Sequence, residues 1–330
     1  MIKAGVAGLG RWGQNLVRSV QGTSETISFT AGMVRNPDKV ADFAAEQGLQ
    51  LFDNYDAMLA DADIDAVVLA TPHSLHFEQM LAAAAAGKHI YSEKPFTMHK
   101  DEAERAIAAA NDAGVQIVVG HNRRFHPAIT ELRSRLADGA LGTPLHVEAF
   151  ESIAGGLLFP PGDWHLTRQE WPAAGMTPLG IHLIDGMVDL FGTVTSVHCL
   201  SVHRVVEADV DDVASVLLQF DSGMTGYVCT IVVARPELRF AVHGTDASAV
   251  ISARSYSSLD ILPFKGEPEN FRYDDFDIEA DALTAELEAF ADAVEGRAPY
   301  PIPHDQIIHV VAVLEAIIKS SETKAPVEVG

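Results

Sequence analysis

Apolar and polar positions in the first third of the chain follow two alternating periods. Short apolar runs at 2–7, 27–34, 66–70, 89–92 and 115–120 read as buried strands. The stretches between them, at 12–21, 37–47, 75–86 and 100–113, repeat at helical spacing. Asn36 before Pro37 makes an N-cap followed by proline at the first helical position, and Gly87 and Gly114 close two of the helices. This βαβ rhythm predicts a doubly wound parallel sheet with helices on both faces.

The rhythm breaks after Arg124. Residues 127–137 still read as a helix. From Pro144 onward, longer alternating runs appear at 146–151, 196–204, 213–220, 225–232, 238–243 and 249–252. Asp221-Ser222-Gly223 between two of them is a hairpin signal. A helix at 179–191 interrupts the series, and helices at 281–295 and 304–321 end it. The second region therefore reads as an α+β domain with an open, mostly antiparallel sheet. The expected division is 1–122 and 123–330, with the helix at about 304–321 placed to pack back on the first domain.

Charge narrows the functions. The chain has 330 residues and a formal net charge of −23. Nucleic acids and anionic membrane surfaces need clustered Lys and Arg, so both are excluded as expected partners. An anionic cofactor is not, because backbone amides and one or two arginines can hold phosphates locally. The two cysteines, Cys199 and Cys229, are too far apart for a CxxC motif and read as buried thiols of a reducing compartment. No stretch reaches membrane-spanning length and the N-terminus lacks an export signal, so a cytoplasmic location is expected. The fourteen histidines form no HExxH and no Cys/His pairing. No metal is expected.

Four motifs carry chemistry. Gly8-Leu9-Gly10-Arg11-Trp12-Gly13 is G-x-G-x-x-G between a predicted strand and a predicted helix, the context of a dinucleotide fingerprint. Gly8 permits the tight turn, Gly10 lets backbone approach a pyrophosphate, and Gly13 lets helix and strand pack closely. The second strand ends without the acid that would bind an NAD ribose. Arg35 and Asn36 stand there instead, and a cation suits a 2′-phosphate or stacks on adenine, which favours NADP over NAD. Ser92-Glu93-Lys94-Pro95 sits at the carboxyl end of a strand, where doubly wound folds bind ligands. A partly desolvated Lys94 there can take part in proton transfer, and Pro95 can lock the turn, in cis if the geometry asks for it. Finally, Thr177-Pro178-Leu179-Gly180-Ile181-His182-Leu183-Ile184-Asp185 places His182 and Asp185 on one helix face. His182 is a candidate acid or base.

Other polar clusters are candidates for binding. Thr71, Pro72, His73 and His76 follow the strand at 66–70, where nicotinamide or ribose should lie. Arg123 and Arg124 stand at the domain junction. Trp164, His165 and Arg168 fall in a loop before the second group of glycines. Each of these alone is more often structural.

Together these pieces resemble the Gfo/Idh/MocA family of oxidoreductases. The matching segments are AGLGRWG, ATPHSLHFEQM, GKHIYSEKP, VVGHNRRFHP and GIHLID, followed by DDVASVLLQFDSG, FAVHGTDA and PIPHDQIIHVVAVLEAIIKSS. The resemblance implies a Rossmann domain and an α/β domain whose sheet forms a homodimer or homotetramer interface. It implies NAD(P)-linked hydride transfer on a sugar, cyclitol or related polyol. Carried over, Lys94 hydrogen-bonds the reacting oxygen, His182 exchanges its proton, and Asp185 binds or orients nearby. One departure stands out. Many relatives carry an acid two residues before the glycine of GxH, and this chain has Pro178 there, beside Thr177. Two alternatives stand beside this reading: the resemblance also allows an enzyme that recycles a tightly held cofactor to epimerise or cleave a sugar, and Pro178 motivates a weakly catalytic NADP(H)-responsive binding protein.

Overall fold

The computed structural model describes every residue except Pro161 and Arg254. It divides into two units. One comprises Met1–Asn122 and Glu279–Ile308, and the other Arg123–Ile278 and His309–Gly330.

The first unit is built on a six-stranded sheet: β1 (Ile2–Ala7), β2 (Ile27–Met33), β3 (Gln50–Phe52), β4 (Ala66–Leu69), β5 (His89–Glu93) and β6 (Ile117–Gly120), in the order β3-β2-β1-β4-β5-β6. Every neighbouring pair is parallel. Strand order reverses between β1 and β4, so the loops leaving these two strands open at the topological switch point where such sheets bind ligands. β4 and β6 are buried on both faces, which is why they read as unbroken apolar runs. The three-residue β3 is half exposed and too short to show a period.

The sequence reading assigned everything after residue 122 to the second domain, with the last long helix returning to the first. The structure instead returns residues 279–308 to the first unit. Helix Asp281–Val294 buries Leu283, Leu287, Phe290 and Ala291 in the core formed by β1, β2 and helix Arg11–Val20. The final helix, His304–Thr323, places Val310, Val313, Leu314 and Ile317 in the core of the second unit.

The second unit carries β7 (Pro144–Ser152), β8 (Val194–Val202), β9 (Val213–Phe220), β10 (Thr225–Ile231), β11 (Glu237–Gly244), β12 (Ala247–Ser252), β13 (Ser258–Pro263), β14 (Glu269–Arg272) and β15 (Val327–Glu328). They pair in the order β14-β13-β12-β11-β7-β10-β9-β8-β15. All pairs are antiparallel except β7 with β10. Gly223 turns the β9–β10 hairpin with φ +86°. One face of the sheet buries Val147, Ala149, Val216, Leu218, Phe240, Val242 and Ile251 in a core shared with helices Pro127–Ala137 and Ile181–Phe191. On the other face Leu200 and Leu217 each remain 58% exposed. Among the described residues no helix is long and apolar enough to cross a membrane.

Candidate active site

In the first unit the glycine motif forms the turn from β1 into helix Arg11–Val20. Gly8 has φ +99°, and a Cβ there would stand 2.4 Å from the Ala70 carbonyl oxygen. A Cβ at Gly13 would stand 2.0 Å from the Gly8 oxygen. These two glycines are therefore demanded by the fold. Gly10 is not, because a Cβ there would meet no atom within 4 Å. The remaining reason for glycine at this position is close approach of a ligand to the backbone. The helix it opens has no acidic residue in its first turn, so its N-terminal amides and partial positive charge are left for an anion. These features fit a dinucleotide pyrophosphate. Leu9 adds only backbone, since its side chain is 1% exposed and fills the space beside Gly32. Arg11 is exposed at the start of the helix, and Arg35 and Asn36 are exposed just beyond β2.

The loop after β4 is braced internally. The Thr71 hydroxyl donates to Gln79 Oε1 at 2.5 Å. His76 is fully buried, with Nδ1 2.9 Å from the Pro95 oxygen and Nε2 3.1 Å from the Thr71 oxygen. Its ring thus ties the loop after β4 to the turn after β5, instead of presenting an edge to a cofactor. His73 is also buried, and Pro72 half-buried.

The turn after β5 carries Lys94, half-buried, with a cis peptide to Pro95. Glu93 beside it is 6% exposed. Its carboxylate accepts the Trp12 indole N–H at 2.6 Å and the Lys94 amide at 3.2 Å. Burial pushes the Glu93 carboxyl up, against the pull of the Lys94 ammonium and the Trp12 hydrogen bond. Trp12, expected from its place in the glycine motif to border the cofactor, fastens that motif to the lysine turn through this bond.

In the second unit His182 is 8% exposed, in the first turn of helix Ile181–Phe191 and just after a π-type turn at Met176–Gly180. One turn later, Asp185 takes two hydrogen bonds from Arg124, at 2.8 and 2.6 Å. Arg124 also reaches Asp189 at 3.2 Å, and Asp189 pairs with Arg133 at 2.5 Å. The Asp185 and Arg124 side chains are 2% and 4% exposed. Each already satisfies the other, so their geometry suits holding the His182 helix better than gripping a substrate. Arg123 is held in the same manner by Glu151, with two bonds of 2.6 Å, and by the Tyr256 hydroxyl at 3.1 Å. Burial works against the Arg123 charge, but Glu151 and Tyr256 outweigh it and strengthen its hold on its proton. Burial pushes the Tyr256 hydroxyl up to about 12. Glu151, Asp189 and Tyr256 gave no sequence signal, because nothing local marks a carboxylate or phenol whose partner lies far along the chain.

Thr177 is fully buried and its hydroxyl donates to the Glu170 oxygen at 2.6 Å. That bond pins the preceding loop and directs the hydroxyl away from a substrate. Within the loop, Phe159, His165 and Trp164 stack in series. The His165 ring is 4.6 Å from Phe159 at 5°, and 3.6 Å from Trp164 at 29°. Asp163 fixes His165 through Nδ1 at 2.5 Å, and Trp164 keeps 36% of its surface exposed. Arg168 pairs outward with Asp209 and Asp211.

A parallel sheet with a glycine fingerprint at its switch point, an immobilised lysine turn and a histidine-bearing helix on a separate antiparallel sheet define an NAD(P)-dependent oxidoreductase. The chain belongs to the Gfo/Idh/MocA family. Residues 2–121 match its oxidoreductase family domain, the NAD-binding Rossmann fold, and residues 129–250 match the GFO/IDH/MocA C-terminal domain. It is 30% identical over 325 residues to scyllo-inositol 2-dehydrogenase (NAD(+)) of Bacillus subtilis strain 168, covering 94% of this chain and 91% of that protein. It is 28% identical over 332 residues to D-xylose 1-dehydrogenase (NADP(+)) 2 of Haloferax volcanii, covering 98% of each. The fold superposes on levoglucosan dehydrogenase in complex with NADH with a TM-score of 0.88, at 20% identity, covering 100% of this chain and 99% of that one.

Proposed function

We propose that this oxidoreductase uses NADP to interconvert a hydroxyl and a carbonyl on a sugar, cyclitol or related polyol. The observation that carries this reading is the exposed Arg35 just past β2, where an NAD enzyme places an acid. The relatives named above include one NAD and one NADP enzyme, both acting on polyhydroxy substrates. Gly8, Gly10 and Gly13, with the amides of Arg11 and Trp12, would hold the pyrophosphate. Arg35 and Asn36 would meet the adenosine 2′-phosphate, and Thr71, Pro72 and His73 would border the nicotinamide.

When bound, the nicotinamide supplies the hydride acceptor or donor. In the oxidative direction, Lys94 donates a hydrogen bond to the substrate oxygen and steadies the charge that grows there. His182 accepts the hydroxyl proton as the hydride departs. In reduction Lys94 would donate to the same oxygen, and His182 would return the proton to it. Asp185 and Arg124 keep the His182 helix in place, Arg123 and Glu151 stiffen the segment before it, and Trp164 and His165 contact the substrate. With Pro178 where relatives carry an acid, proton handling falls to Lys94 and His182 alone. The same proline motivates a second reading, a weakly catalytic NADP(H)-responsive binding protein.

The test is absorbance at the reduced-nicotinamide band, with NADP and NAD supplied separately against sugars, cyclitols and hydroxy acids. Turnover with NADP and one polyol supports the proposal. Turnover with NAD alone removes the Arg35 argument. No turnover, with nicotinamide retained through gel filtration, moves the assignment to the recycling reading. A cytoplasmic location accords with two buried free thiols. The outward face carrying Leu200 and Leu217 is proposed to meet a second copy, to be checked by light scattering.

A further inference from the structure

The chain takes a left-handed path just before the His182 helix. Ala173, Ala174 and Gly175 have φ +48°, +48° and +78°. This conformation is unfavourable for a residue that carries a Cβ, so two alanines in succession persist only where their surroundings hold them. Both are buried in the core of the second unit. Thr230 holds the path at its centre: its hydroxyl donates to the Ala174 carbonyl oxygen at 2.6 Å. Thr230 is fully buried on β10, on the face that also buries Val228. The Gly175 carbonyl oxygen then accepts the amides of Leu179 and Gly180, at 3.0 and 3.2 Å, and so closes the π-type turn at Met176–Gly180. The far end of that turn also lies close to Thr230, since a Cβ at Gly180 would stand 3.4 Å from the Thr230 methyl carbon. Helix Ile181–Phe191 follows at once, with His182 as its second residue. One side chain thus borders both ends of the turn that starts the histidine helix.

We propose that Thr230 is a positioning residue for His182: its hydroxyl fixes the left-handed path, and that path fixes where the helix begins and which way His182 is aimed. This rests on the assignment of His182 as the proton carrier. The Thr177 hydroxyl, bonded to the Glu170 oxygen at 2.6 Å, holds the same turn from the loop side. Loss of the Thr230 bond therefore frees one end of the turn and leaves the other tied. The buried Ala174 oxygen then lacks its side-chain donor, and the left-handed residues beside it are free to relax. Any such relaxation is passed directly to the start of the helix, two residues before which the turn still lies against β10.

Thr230→Val keeps the shape of the side chain and removes the hydroxyl, while Thr230→Ser keeps the hydroxyl. In Thr230→Val, turnover should fall by up to about 10²-fold through misplacement of the proton carrier. KM and NADP affinity should be kept, because the lost placement matters only in the transition state. Thr230→Ser should hold turnover near the wild-type value. The independent readout is the imidazole Cε1–H resonance of His182, assigned through its loss in His182→Ala. It should move in Thr230→Val and stay in Thr230→Ser. Should Thr230→Val fail to fold, Thr230→Cys, a weaker donor in the same place, replaces it and should give the same changes at smaller size. A resonance that stays put when the hydroxyl is removed overturns the proposal, as does a Thr230→Ser variant as impaired as Thr230→Val. Losses that fall on KM and NADP affinity as much as on turnover mark general loosening and also overturn it. A moved resonance with unchanged turnover, alongside an inactive His182→Ala, overturns the positioning role. An active His182→Ala overturns the assignment of His182 as proton carrier, and the resonance alone then judges whether Thr230 places that side chain.

Discussion

Arg124 clasps Asp185 with two hydrogen bonds of 2.6 and 2.8 Å, one helical turn beyond His182. The pair is almost wholly buried, so its charges are compensated by each other and by the Asp189–Arg133 extension. It anchors the helix on which the proposed proton carrier stands. Removing one partner takes away the shortest ionic contact of a buried charge. Asp185→Asn and Arg124→Met are each expected to lower stability by about 3–5 kcal/mol, read from urea unfolding. Neither should change cofactor affinity, because both residues lie outside the unit that carries the glycine motif.

The glycine motif separates fold from function. Gly10→Ala meets no neighbouring atom, so its thermal midpoint should match the wild type while NADP affinity falls. Gly13→Ala places a methyl group 2.0 Å from the Gly8 oxygen and should lower the midpoint. Thermal scans with and without cofactor distinguish the two. Equal stability losses would contradict the assignment of Gly10 to ligand approach.

Arg35→Ala should weaken NADP binding about 10–100-fold, the loss of one or two charge-assisted hydrogen bonds. NAD binding should change little. A parallel loss for both cofactors would mean that Arg35 stacks on adenine instead of reading the 2′-phosphate.

Lys94→Ala should cut turnover about 10²–10⁴-fold, the usual value of one acid–base group, with NADP affinity nearly intact. His182→Ala should do the same. Stopped-flow measurement of the hydride step in both variants checks this.

Stability should also depend on pH through His126. Its ring is fully buried, its Nδ1 accepts the Ala128 amide at 3.0 Å as a helix cap, and Tyr256, Tyr273 and Phe276 pack around it. Burial depresses it to about 4. The unfolded chain then takes up this proton first as pH falls. The stability contributed by neutral His126 is full above about 6.5 and is lost as pH falls toward 4, on the order of 3 kcal/mol in all. His126→Asn keeps a capping oxygen and removes the titration. Unfolding free energies measured across that window should flatten in the variant.

Much of this molecule could be read from its amino acids because the controlling forces are local. Hydrophobic period separated the parallel sheet from the antiparallel one, since β4 and β6 are buried on both faces while β7 and β9 bury only one. The G-x-G-x-x-G turn, the Glu93-Lys94 pair and the hairpin at Gly223 each lie within a few residues, and backbone sterics alone restrict what can stand there. The family was recognisable for the same reason.

What the sequence left open was the choice of partner. The apolar stripe of helix Asp281–Val294 requires some surface to cover, but any sheet face would satisfy it. Only the fold sends Leu283, Leu287 and Phe290 back to the first core. Arg124 needs a carboxylate, and 46 acidic residues were on offer. Asp185 takes it because the fold brings its side chain, on helix Ile181–Phe191, within 2.6 Å of the Arg124 guanidinium. Trp12 meets Glu93 across 81 residues, and Tyr91 meets Glu286 across 195. Such contacts depend on closing long loops around a finished core, so tertiary packing decides them, while period and turn chemistry decide the elements themselves.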